Sequence, residues 1–250
     1  MAQIMILAKE PVAGRAKTRL TPPYTPDQAA ALAEAALRDS LLAVAATPAS
    51  QRLLALDGLP GSWLPPGFVV IPQRGSGLDE RLAAAFSDAY RLLPEAVVLI
   101  GMDTPQVTPT LLGEAVEALE NHDAVFGPAA DGGFWLLGLR EPDPALLLGV
   151  PMSQPETGKL QLDRLDRAGL TVHLLPELSD VDTAADALAV AEQAPASRFA
   201  AAVLLEHPHL GEGRLEALVP PGSRPARRVL TDHDRVPGAG RVLHGIAPPS

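Results

Sequence analysis

With 250 residues, 47% of them hydrophobic and only 4% aromatic, the chain suits one large domain whose core is built from Ala, Leu and Val. The absence of cysteine excludes disulfides and thiolate metal sites and leads us to expect a reducing, cytoplasmic setting. A formal net charge of −10 argues against a nucleic-acid partner, and no run approaches the roughly 18 apolar residues of a spanning helix, so no membrane partner is expected either.

The start, MAQIMILAKEP, lacks the basic stretch and long apolar run of a signal peptide. Gln3 to Leu7 reads as a short buried strand, ending in the punctuated stretch Pro11-Val12-Ala13-Gly14. Thr25-Pro26-Asp27 opens a helix to about Ala46, with Thr25 as cap and Pro26 at the first position, where its missing N–H costs nothing. Leu53 to Leu56 and Val69 to Ile71 read as strands, and Leu78 to Leu93 has apolar residues at helical spacing. Ala96 to Ile100 is continuous, apolar and β-branched, as a buried parallel strand should be. A helix over Pro109 to Asn121, a strand at Ala124 to Phe126 and a strand at Phe134 to Leu139 follow. The series closes with a helix near Glu156 to Ala168, a strand at Thr171 to Leu175 and a helix over Asp182 to Gln193. This alternation implies an α/β domain with a mostly parallel central sheet flanked by helices, binding its ligand at the carboxyl ends of the strands. The domain is expected to span 1–195. Residues 196–250 carry one apolar helix-like stretch, Phe199 to Leu205, and then Pro/Gly/Arg-rich sequence that reads as a partly irregular appendage.

Charge is unevenly spread. Of three lysines, Lys9 and Lys17 fall in the first loop with Arg15 and Arg19, opposed there only by Glu10. A local cationic loop on an acidic chain suits a compact anion. In Ala8 to Leu20, Gly14 allows a backbone conformation that aims N–H groups at a phosphate, and Arg15, Lys17 and Arg19 supply its counter-charge. Neither the Walker A spacing nor GxGxxG is present. Asp103, in Gly101-Met102-Asp103-Thr104-Pro105, stands at the mouth of the sheet, where a divalent cation bridging phosphates would sit; the plainer reading is a turn before Pro105. Asp131-Gly132-Gly133-Phe134 offers a carboxylate and close backbone approach to a ligand, or simply a tight hairpin turn. In Asp180-Val181-Asp182-Thr183, helix capping by Asp182 or Thr183 is the default and metal ligation the sharper alternative. Gln73, near the flexible Gly75-Ser76-Gly77, has the groups to read a nucleobase edge, although a helix start explains this run too. His207-Pro208-His209 with Asp232-His233-Asp234, and His244 beyond them, match no metal-ligand spacing.

In this order, AKEPVAGRAKTRL at 8–20, QRGSGLDERL at 73–82, LIGMDTP at 99–105, GPAADGGFWLLGL at 127–139 and DVDTAAD at 180–186 resemble a bacterial family of unknown function with the glycosyltransferase A-type (GT-A) architecture. The resemblance covers about residues 3–193 and extends remotely to molybdopterin, phospholactate and sugar-phosphate nucleotidyltransferases. It implies a Rossmann-like fold of the nucleotide-diphospho-sugar transferase type, with Mg²⁺ or Mn²⁺ as cofactor. It further implies Asp103 and Asp182 as metal ligands, and Ala8, Gly14, Arg15, Lys17, Arg19, Gln73 and Gly77 around the nucleotide and its phosphates. Asp103, Asp131 and Lys17 then stand as catalytic candidates, and Gly132, Gly133 and Phe134 as the acceptor wall. Phe134-Trp135 replaces the family's usual tyrosine pair, and Ser76 replaces an acidic residue. The partners so implied are a nucleotide or nucleotide-sugar and a small-molecule acceptor. Glycosyl transfer from a nucleotide-sugar leads. Nucleotidyl transfer from a triphosphate, releasing pyrophosphate, is the runner-up, and a nucleotide-binding regulator without turnover is a third reading.

Overall fold

A computed structural model describes residues 1–207. These lie in one unit. Its strands are β1 (Gln3–Lys9), β2 (Arg52–Asp57), β3 (Val69–Pro72), β4 (Val97–Gly101), β5 (Ala124–Pro128), β6 (Phe134–Leu139) and β7 (Val172–Leu174). Its helices are α1 (Pro26–Ala46), α2 (Leu78–Leu92), α3 (Pro109–Ala118), α4 (Thr157–Arg167), α5 (Ala184–Gln193) and α6 (Arg198–Glu206). The strands form one sheet in the order β3-β2-β1-β4-β6-β5-β7.

The pairs β3–β2, β2–β1, β1–β4 and β5–β7 are parallel, whereas β6 runs antiparallel to both β4 and β5. The reason is local. Only residues 129–133 separate β5 from β6, and a parallel return needs a crossover of a dozen or more residues. The Asp131-Gly132 pair is therefore a hairpin turn, with Gly132 at φ +87°.

Side-chain alternation along the central strands divides the core into two layers. Ile4, Ile6, Val98 and Ile100 pack with Leu37, Leu41 and Val44 of α1 and Leu112 of α3. Met5, Leu53, Val97 and Leu99 pack on the opposite face with Leu82, Phe86 and Ala89 of α2 and Leu165 of α4. Each of these side chains larger than alanine contributes about 1.5–3 kcal/mol on burial, which explains why strands covered on both faces read as unbroken apolar runs.

Helix α1 starts as its sequence demands. The Thr25 side chain accepts the Gln28 N–H, Gln28 answers from its own side chain, and Pro26 takes the first turn. The stretch expected to open the 196–250 appendage is α6. Its Phe199, Ala200 and Val203 are buried with Leu32 and Ala36 of α1 and Val190 of α5. Asp39 of α1 caps it, accepting the N–H groups of Arg198 and Phe199 at 3.1 and 2.8 Å. His207 meets the Tyr24 hydroxyl at 2.9 Å rather than entering a cluster of ligating side chains. His209, His233 and His244 lie outside the described residues, as does the rest of the expected appendage. Among the described residues no helix is long and apolar enough to cross a membrane.

Candidate active site

The carboxyl ends of β1 and β4 open into a cleft of about 780 Å³. Because β6 runs the other way, its beginning lies at the same edge, so the hairpin brings Asp131 and Phe134 to the ends of the parallel strands. The segment before α5 is pinned into this edge. Leu178 donates to the Pro128 carbonyl at 3.1 Å, Ala130 donates to the Leu178 carbonyl at 2.9 Å, and Val181 donates to the Asp103 carbonyl at 3.0 Å. Gln106 Nε2 ties down the Ser179 carbonyl at 2.6 Å. Asp103, Asp131, Asp180 and Asp182 thus line one cleft although they come from three distant parts of the chain.

The cationic loop reaches across to them. Strand β1 extends through Lys9, so Ala8 is buried strand and the loop proper begins at Glu10. Gly14, at φ +75° with open space around it, lets the chain turn back, and buried Leu20 anchors the far end. Lys17 has φ +51°, a left-handed conformation that costs a non-glycine residue on the order of 1–3 kcal/mol and is kept only where other contacts fix it. Those contacts are polar. Its Nζ lies 2.9 Å from Asp103 Oδ1 and 3.5 Å from Asp182 Oδ1, and it donates to the Val181 carbonyl. The Lys17 side chain is 8% exposed, against 39% for each carboxylate, so the ammonium is held inside and the acids face the cleft. Arg19 Nη1 approaches Asp182 Oδ2 at 3.2 Å, and exposed Arg15 lies 3.7 Å from Asp57.

Capping and chemistry are divided between neighbours. Thr183, not Asp182, caps α5, in a capping box with Asp186. The Asp182 carboxylate is thereby left to Lys17 and Arg19. Asp180 stands out electrostatically. Burial first, then the charges of Asp103 and Asp131, push its carboxyl up to about 7 against the pull of Lys17. Asp131 holds the Gly133 N–H on Oδ1 at 2.8 Å, which fixes its orientation at the turn.

Of the residues proposed from sequence, Ala8, Arg15, Lys17, Arg19, Gln73, Asp103, Asp131, Gly133, Phe134 and Asp182 line the cleft. Gly14, Gly77 and Gly132 do not. Gly77 is the N-cap of α2. Gly132 is a packing residue: a Cβ there would stand 2.0 Å from the Pro155 carbonyl oxygen, and its own carbonyl accepts the Gly158 N–H at 2.7 Å. Gln73 is a brace. Its amide nitrogen donates to the carbonyls of Ala8 and Ala55 at 2.7 and 3.0 Å, tying β1 to β2.

Sequence reasoning passed over Asp180, Arg81 and the loop 152–157. Asp180 sits within the DVDTAAD run, where an acid three positions before the helix cap Thr183 is the available signal. Arg81 lines the cleft and grips Asp57 at 2.9 Å. Ser153, at φ +58°, and Pro155 offered only turn chemistry as a signal.

A family of bacterial proteins described as "uncharacterized protein conserved in bacteria" (DUF2064) matches residues 28–154, more than half of the chain. No curated protein matches it. The crystal structure of a protein from Desulfovibrio desulfuricans G20, provisionally described as a nucleotide-diphospho-sugar transferase, is 28% identical. The alignment covers 86% of this chain and 98% of that one, with a TM-score of 0.76. A 2-C-methyl-D-erythritol 4-phosphate cytidylyltransferase from Thermus thermophilus is 19% identical over 77% of this chain and 99% of its own, with a TM-score of 0.49. The chain belongs to the bacterial DUF2064 family and has the nucleotide-diphospho-sugar transferase fold.

Proposed function

We propose that this chain is a metal-dependent glycosyltransferase whose donor is a nucleotide-diphospho-sugar. The observation that carries this reading is the contact of Lys17 with Asp103, which sets a cationic loop against a strand-end acid across one cleft. A cleft of about 780 Å³ is within the range of small-molecule sites, roughly 300–1,000 Å³. The 28% identical structure over nearly its full length supports the same class of donor.

The residues fit a hard divalent cation. The donor set is carboxylate oxygen throughout, which suits Mg²⁺ or Mn²⁺. Among the described residues there is no ready-made group of three ligating side chains. A cation bound there would be held by Asp103 and Asp182, with its remaining ligands drawn from outside the chain. Lys17 already brings one positive charge between these two acids. When bound, such a metal supplies charge stabilisation for the departing diphosphate.

The chain's own residues do the rest. Arg15, Lys17 and Arg19 hold the diphosphate and neutralise its charge as the sugar leaves, and Gly14 lets the loop turn back to present them. Gln73 keeps the floor of the cleft rigid by joining β1 to β2. Asp131 takes the proton of the acceptor hydroxyl, held in place by its bond to Gly133. Gly133 and Phe134 form the wall against which the acceptor lies, and Gly132 keeps that wall in position.

Nucleotidyl transfer is a second reading, favoured by one observation. Lys9, Arg15, Lys17, Arg19 and Arg81 give the donor side five cations, enough for a triphosphate. The metal–nucleotide reading is tested by calorimetric titration of UDP-glucose, GDP-mannose, ADP-glucose and the nucleoside triphosphates with Mn²⁺ into the wild-type chain and Asp103→Ala. Mn²⁺-dependent binding that disappears in Asp103→Ala is expected. Equal affinity in the two proteins rejects Asp103 as the ligand.

A further inference from the structure

The cleft is divided by charge. Its lining cations, Lys9, Arg15, Lys17, Arg19 and Arg81, all come from the end of β1, the loop after it, or α2. The opposite wall, formed by the β5–β6 hairpin, the start of β6 and the loop 152–157, contributes Asp131, Phe134, Met152, Gln154 and Thr157 and no lysine, arginine or histidine. Lys159 and Arg164, on the neighbouring α4, are not part of the lining, and Arg164 is committed to the carbonyls of Ala145 and Leu148. Where this wall meets the floor of the cleft stand Asp103 and Asp182, which face Lys17 and Arg19, and the buried Asp180.

A phosphate or carboxylate placed against this wall would meet the Asp131 carboxylate, with no lysine, arginine or histidine of the wall to balance its charge. A like charge in a cleft with low-dielectric walls repels an anion. Phe134 and Met152, each packed at its base into the apolar layer beneath the sheet, offer instead a surface for an uncharged body. The wall is also built to hold its shape. Gly158 donates to the Gly132 carbonyl at 2.7 Å, Gln154 N–H donates to the Thr157 hydroxyl at 3.1 Å, and that hydroxyl donates to the Pro151 carbonyl at 2.9 Å.

We propose that this half of the cleft binds an acceptor that bears a hydroxyl group but no phosphate or carboxylate, with its apolar part against Phe134 and Met152 and its hydroxyl at Asp131. The proposal rests on the reading of the cleft as a nucleotide-diphospho-sugar site. In the transfer, the acceptor oxygen forms a bond to the anomeric carbon while the bond from that carbon to the diphosphate oxygen breaks. The electron pair leaves with the nucleoside diphosphate, and the hydroxyl proton passes to the Asp131 carboxylate. A neutral acceptor also bears on which transfer occurs, because a sugar phosphate would find no lysine, arginine or histidine on this wall.

The test compares matched pairs by saturation-transfer NMR on the full chain: glycerol with glycerol 3-phosphate, mannitol with mannitol 1-phosphate, glucose with glucose 6-phosphate, and n-butyl glucoside as an apolar neutral ligand. The expected result is that neutral members bind, that Phe134→Ala weakens them about tenfold, and that Lys9→Ala leaves them unchanged. Phosphorylated members follow the opposite pattern, because they reach only the cationic half. The proposal is overturned if phosphorylated members lose affinity in Phe134→Ala, or if no neutral member gives a signal. Nucleotide binding is measured separately on the same proteins. Its absence removes the donor reading while leaving the result at the wall interpretable.

Discussion

The Nζ of Lys17 lies 2.9 Å from Asp103 Oδ1, closing the loop after β1 onto the end of β4. Because Lys17 is nearly buried and in the left-handed region, this contact fixes the loop conformation as well as the charge balance. Lys17→Met keeps the length of the side chain and removes the ammonium. A charged hydrogen bond of this kind contributes about 1.5–3 kcal/mol, so nucleotide affinity is expected to fall about 10–100-fold in calorimetry. An affinity within twofold of wild type would place the phosphates elsewhere.

Two glycines with positive φ separate backbone strain from steric exclusion. At Gly14 a Cβ meets open space, so Gly14→Ala should cost only about 1 kcal/mol in denaturant unfolding. At Gly132 the same Cβ stands 2.0 Å from the Pro155 carbonyl oxygen, so Gly132→Ala must part the hairpin from the loop 152–158. Its expected cost is about 2–4 kcal/mol. Equal costs at the two positions would show that the clasp does not form.

Asp180 gives a pH dependence with a defined sign. Its folded-state pKa, pushed up to about 7, lies above its ordinary value of 3.8. The folded chain therefore binds a proton more tightly than the unfolded chain, and stability falls as pH rises from about 4 to about 7. In metal-free protein, Asp180→Asn removes this cost, which is at most about 4 kcal/mol. The thermal midpoint of the variant should exceed that of wild type by several degrees at pH 8 and match it at pH 4. A variant that is no more stable at pH 8 contradicts the burial of a charged Asp180.

Helix α6 is expected to be part of the folding unit. Phe199 is fully buried between α1 and α5, and Phe→Ala changes at such sites cost about 3–5 kcal/mol. Phe199→Ala should lower the urea midpoint accordingly, and a chain ending at residue 195 should be destabilised at least as much. Unchanged unfolding in either protein would detach α6 from the core.

Many elements are legible because the central strands are largely apolar runs, as at Val97–Gly101, and several helices carry a start signal, as at Thr25-Pro26 and Thr108-Pro109. The direction of β6 is not. Its WLLGL run is buried on both faces and reads the same in either sense, so only the short hairpin before it decides. The loop 8–20 and Asp103 stand out in the sequence because a strand end followed by charge has few structural explanations. Asp180 does not, since its perturbed carboxyl comes first from burial and then from Asp103, Asp131 and Asp182 nearby in space. Gln73 shows the opposite case: a side chain able to read a base spends its amide on two backbone carbonyls. Gly132 and Gly133 promise close approach, and the approach at Gly132 is to Pro155 of the chain itself.

The most direct test of the account identifies the leaving group. The full chain is incubated with Mn²⁺, the panel of nucleotide-sugars or nucleoside triphosphates, and neutral or phosphorylated acceptors in parallel, and the products are resolved by ³¹P NMR. Release of a nucleoside diphosphate from a nucleotide-sugar, lost in Asp103→Ala, is the predicted result. Release of pyrophosphate from a triphosphate in the presence of a phosphorylated acceptor would contradict it.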